Sequence, residues 1–128
     1  MTMRNLMAAG LFLFGTTFLW LTPAIAGRQG HPPSGPRWAA VQLLAWVTIA
    51  GFTVASWALL RSLGWWPLVL SGAAVLGVAV TLLFGVAARG AEGVANVAGN
   101  VGLHAVVSLV VLAAMVVPTL REALIHRL

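Results

Sequence analysis

The chain has 128 residues, of which 61% belong to the apolar set and only 7% are charged, against about 25% charged in an ordinary soluble domain. That balance excludes a water-soluble globular domain. It also argues against a β-barrel, which needs apolar and polar residues in alternation; the runs here are apolar on every side and rich in Gly and Ala.

The net charge of +5 comes from seven arginines, all outside the apolar runs or at their ends. They are scattered singly, which suits anchoring to lipid headgroups and not a nucleic-acid surface, where basic residues gather into a patch or stripe. There is no cysteine, so disulfides, thiolate metal ligands and cysteine nucleophiles are excluded. At roughly 20 residues per span, the length suits three or four transmembrane helices and no sizeable extramembrane domain.

In chain order, Arg4 leads an apolar block broken only by Gly10, Gly15, Thr16 and Thr17. The block ends in Ala24-Ile25-Ala26, and two readings stand. A positive lead, an apolar core and an Ala-x-Ala ending describe a secretory signal peptide, 1–26, cleaved after Ala26. Residues 6–26 are also long enough to be a retained first span.

The segment 27–37, GRQGHPPSGPR, holds three Gly and three Pro and reads as a loop, because Pro removes amide donors and Gly adds backbone freedom. His31, alone beside two prolines, reads as a solvent-facing loop residue.

The second span is 38–60. Trp38 and Trp57 mark its two interfaces, and Trp46, deeper in, is expected to pack against a neighbouring helix. Gly51 and Ala55 form a small-residue pair at helical spacing. Arg61 to Gly64 is a tight turn that makes the second and third spans antiparallel neighbours. The third span, 67–88, carries Ala73, Gly77, Thr81 and Gly85 four residues apart. Small side chains let backbones approach closely, so this face reads as the main helix–helix contact.

After a turn holding Arg89 and Glu92, the last span, 94–117, carries Asn96, Asn100, His104 and Ser108, again four apart and so on one helical face. Pro118 ends it, and 119–128 reads as a short interfacial helix or a frayed tail.

The arginines give a weak topology bias. With the N-terminus of a four-span chain in the cytoplasm, Arg4, Arg61, Arg121 and Arg127 lie inside, and Arg28, Arg37 and Arg89 outside. The Pro-rich loop is then extracytoplasmic and the C-terminus cytoplasmic, in the cell membrane. Removal of the first segment leaves the rest of the arrangement unchanged.

The polar face of the last span is the feature with most chemistry. At ~1.5 Å per residue, His104 falls about 15 Å from residue 94, near the middle of a ~30 Å hydrocarbon core. An unpaired polar group there costs several kcal/mol, so this face must meet protein or water. Thr48, Thr53, Ser56, Ser71 and Thr81 are the expected partners of the imidazole, and Ser108 is expected to bond back to its own helix.

One reading makes these residues hydrogen-bond glue between helices. The other makes His104 a cofactor-binding residue for haem or quinone, with bis-His ligation needing a second chain. No Asp or Glu lies in any span, which disfavours carboxylate-coupled transport. No acid is placed to orient His104, and Ser108 sits on the same helix, so hydrolytic chemistry is poorly supported; nor is there a metal-ligand cluster.

The expectation is therefore an all-α integral membrane helical bundle of four transmembrane helices, or three after cleavage. Its role is expected to be that of a non-enzymatic accessory or assembly subunit of a larger membrane complex. Its partners are the lipid bilayer and other membrane subunits or further copies of itself, with no nucleic acid. The alternatives are a haem- or quinone-binding protein using His104 and a homo-oligomeric small transporter or channel component.

Overall fold

The computed structural model describes residues 2–22, 35–87 and 98–128, with the side chain of Ala98 outside that set. Asn96, His31 and the Arg89–Glu92 turn lie outside the described residues. The described chain is all-α: α1 Met3–Thr17, running on into a 3-10 turn Phe18–Leu21; α2 Pro36–Leu60; α3 Trp66–Ala87; α4 Ala98–Val116; and a short α5 Pro118–Ile125. Four of these segments, Met3–Leu21, Pro36–Leu60, Trp66–Ala87 and Gly99–Val116, are long and apolar enough to cross a bilayer.

Local chemistry sets the ends. Thr2 caps α1 by accepting from the Asn5 amide at 3.3 Å. Gly35, at φ +102°, takes a conformation L side chains avoid, and Pro36 then opens α2, where its missing N–H costs nothing. At the other end of α2 the Leu63 amide donates to the Ala58 carbonyl at 2.9 Å, and the Ser62 amide to Leu59 at 3.1 Å. This is the paired closure of a helix ending in a left-handed residue, and that residue is Ser62, at φ +57°. Arg4 donates to the Ser62 hydroxyl and, at 3.1 Å, to the Leu128 carbonyl. One guanidinium thus ties together the start of α1, the α2–α3 turn and the end of the chain. Pro118 breaks α4 from α5 in the same way that Pro36 opens α2.

Each long helix packs on the next in chain order, α1 on α2, α2 on α3 and α3 on α4. Two of the seams are tight at glycines. A Cβ on Gly15 would stand 2.6 Å from the Phe52 Cβ, and one on Gly51 would stand 3.0 Å from the Ala73 Cβ. Ala8, Ala45, Ala55 and Ala58 fill the remaining seams, and Phe18 and Phe52 are the largest fully buried side chains. With lipid outside, such small faces hold helices together through van der Waals contact, because burial from water supplies no drive between spans.

Two sequence expectations change here. The row Ala73, Gly77, Thr81, Gly85 does not form one interface. Ala73 meets Gly51 of α2, Gly77 meets Ser108 of α4 and Phe18, and Gly85 is exposed, with nothing within 4 Å of where a methyl group would stand. A straight row of residues four apart drifts around a 3.6-residue helix, so its ends face different neighbours. Trp46 does not pack inward either. It is 48% exposed, on an outer ridge of α2 with Leu43, Val47, Val54 and Trp57.

Candidate functional site

His104 is the one histidine in a span, and it is 4% exposed. Its Nδ1 lies 2.7 Å from the Asn100 carbonyl, one turn back on α4. A carbonyl only accepts, so Nδ1 carries a proton. Its Nε2 lies 2.8 Å from the hydroxyl of Thr17, the last residue of α1. In the neutral ring, then, Nε2 is the acceptor and Thr17 the donor. Thr17 also stands within hydrogen-bond reach of the Phe14 carbonyl, and it has one proton for two acceptors.

The ring is enclosed by aromatic side chains from α1 and its 3-10 extension. Phe14 stacks on it at 5.8 Å, Phe18 meets it edge-on at 4.8 Å, and Trp20 is tilted against it at 5.6 Å. Trp20 in turn packs edge-on against Phe84 of α3 at 4.9 Å, and Trp38 of α2 also packs edge-on against Phe84 at 5.6 Å. All four spans thus converge near His104. The Trp20 indole nitrogen is buried with no hydrogen-bond partner among the described residues.

The four-residue polar row separates into unlike parts. Asn96 lies outside the described residues. Asn100 is exposed, and its backbone carbonyl, not its side chain, serves His104. Ser108 is fully buried, but its hydroxyl finds no partner among the described residues, so the expected bond to its own helix is not made. It sits instead in the notch left by Gly77, where an added Cβ would come within 2.6 Å of its oxygen and 3.2 Å of Phe18.

None of the five expected partners bonds to His104. Thr48, Thr53, Ser71 and Thr81 donate to carbonyls four residues back at 2.7, 2.8, 2.8 and 2.7 Å. Ser56 donates across helices to the Ala8 carbonyl at 2.9 Å. The partner is Thr17, 87 positions away in sequence. Its presence in the first apolar run was visible, but spacing alone cannot pair two polar residues on separate helices.

Among the described residues no cluster of three or more His, Cys, Asp or Glu is placed to hold a metal ion. For haem at His104, an iron bound to Nε2 would occupy the place of the Thr17 hydroxyl and require the Phe14, Phe18 and Trp20 rings to part. The chain matches no family model, no curated protein and no solved structure. What the fold defines is the class: a multi-span membrane protein, all-α over the described residues, with four span-length helices among them.

Proposed function

We propose that this protein is an accessory or assembly subunit of a larger membrane complex, and that His104 acts as an internal clasp between the first and last spans. The observation that carries the reading is the outward-facing Trp46. It lies ten residues into α2, about 15 Å along the helix and so near the middle of the hydrocarbon core. Its ring is half exposed, and its indole N–H has no acceptor among the described residues. Lipid tails offer no acceptor, whereas a neighbouring transmembrane helix does.

The clasp supports the same reading. Both ring nitrogens of His104 are engaged inside the chain, which leaves α4 no spare imidazole for substrate or cofactor. The reading also keeps residues 1–26 in the mature protein, since cleavage would remove Thr17 from His104 and the Ala8 carbonyl from Ser56. The weak arginine bias supports an orientation with the Pro-rich loop outside and the C-terminus in the cytoplasm.

Gentle solubilisation followed by mass spectrometry tests the partner and the retained first segment together. The expected result is a stoichiometric partner subunit and an intact N-terminus, with loss of the partner in Trp46→Ala. A Soret band in the purified protein that disappears in His104→Ala would instead establish the haem reading. Transport by the isolated protein in proteoliposomes would establish the transporter reading.

A further inference from the structure

We propose that a cleft between α3, α4 and α5 binds the headgroup of an anionic phospholipid, with Arg121 holding the phosphate. The cleft has a volume of about 350 Å³ and is lined by Gly64, Pro67, Leu68, Ser71, Met115 and Arg121. Its residues come from the α2–α3 turn, the first turns of α3, the last turn of α4 and the short α5, so it lies where the apolar spans end and headgroups begin.

The lining has one cation and no carboxylate. Arg121 is exposed and makes no hydrogen bond or ion pair with any described residue, although guanidinium offers five donors in a fork suited to phosphate. Other cations of this end differ. Arg4 is already engaged by Ser62 and the Leu128 carbonyl, and Arg61 and Arg127 do not line the cleft. Glu122, the neighbouring acid, also lies outside the lining.

The remaining walls fit the rest of a lipid. The Ser71 hydroxyl donates to the Pro67 carbonyl at 2.8 Å, which leaves its oxygen free to accept from a headgroup hydroxyl. Leu68, 77% exposed, offers an outward apolar surface for an acyl chain, and buried Met115 forms an apolar floor. Phosphate, hydroxyl donor and acyl chain together describe phosphatidylglycerol, the probe lipid chosen for the test.

The test is native mass spectrometry of the full chain, delipidated in detergent and offered phosphatidylglycerol or phosphatidylcholine at equal concentration. Phosphatidylglycerol is expected to be retained roughly five- to tenfold better, the size expected of one basic residue facing an anionic lipid. Arg121→Gln removes that preference and Arg121→Lys keeps most of it, while Arg127→Gln leaves it unchanged. Ser71→Leu, which plugs the cleft and keeps all seven arginines, also removes it, so a poorly folding Arg121 variant does not shelter the proposal. Equal retention of the two lipids by the unaltered protein overturns it. So does an equal loss in Arg127→Gln, which would mark diffuse attraction to the whole basic end, or full displacement of the lipid by inorganic phosphate.

Discussion

The two flanks of α3 hold their neighbours by different means. Toward α2 the seam is small and apolar: Gly51 against Ala73, with Ala55 and Ala58 fully buried beside them. The two helices are also joined by a five-residue turn, Arg61 to Trp65, so their pairing is local. Toward α4 the contact is narrower and polar. Ser108 sits in the Gly77 notch, and one turn back on α4 His104 bonds to Thr17 on α1. A hairpin needs only shape to stay closed, whereas α1 and α4 are far apart in sequence. A directional bond at one point specifies which surfaces meet, at a gain in membranes of only ~0.6 kcal/mol on average.

The largest break in this contrast is expected at Gly77. Gly77→Val drives methyl groups into Ser108 and Phe18, where a Cβ alone stands at 2.6 and 3.2 Å. The expected cost is about 1–3 kcal/mol, the range for overpacking, read as a lowered midpoint in detergent unfolding. Gly15→Ala, with its Cβ 2.6 Å from Phe52, should damage the α1–α2 seam on a similar scale. If both were tolerated without loss, the close approaches would not be holding the bundle.

Next in size is Thr17→Val. It keeps the shape but removes the only partner of Nε2 among the described residues, at an expected cost of ~0.6–1.7 kcal/mol. Gly85→Ala separates the two ends of the small-residue row. Nothing lies within 4 Å of the added methyl, so stability should hold or rise by up to ~0.5–1 kcal/mol, the helix-propensity difference. A loss there comparable to that of Gly77→Val would restore the single-interface view of the row. Ser108→Ala closes the series with the opposite sign. Its hydroxyl is buried with no partner among the described residues, so its removal should hold or raise stability, by up to ~1–3 kcal/mol, the cost of a buried unsatisfied group.

The span pattern was legible in sequence because it depends on composition along a single helix. Predicted spans 38–60 and 67–88 correspond to helices Pro36–Leu60 and Trp66–Ala87; proline opens the first and the closure at Ser62 ends it. The burial of His104 and Ser108 was legible for the same reason, since a polar group in a span needs shelter. Their partners were not. Thr17 meets His104 only because α1 and α4 converge near Phe18, and neither residue's local context states that. Gly15, read only as an interruption, is the close contact with Phe52. Trp46 faces outward against expectation because an indole at mid-span suits an inward or an outward face equally well by pattern.

A double-mutant cycle between Thr17→Val and His104→Leu, followed by unfolding in mixed micelles, measures the clasp most directly. The expected coupling is roughly 0.6–1.7 kcal/mol, with the two changes together costing less than their sum. Strictly additive losses would mean that the imidazole and the threonine do not act on each other, and that the first and last spans are joined by something else.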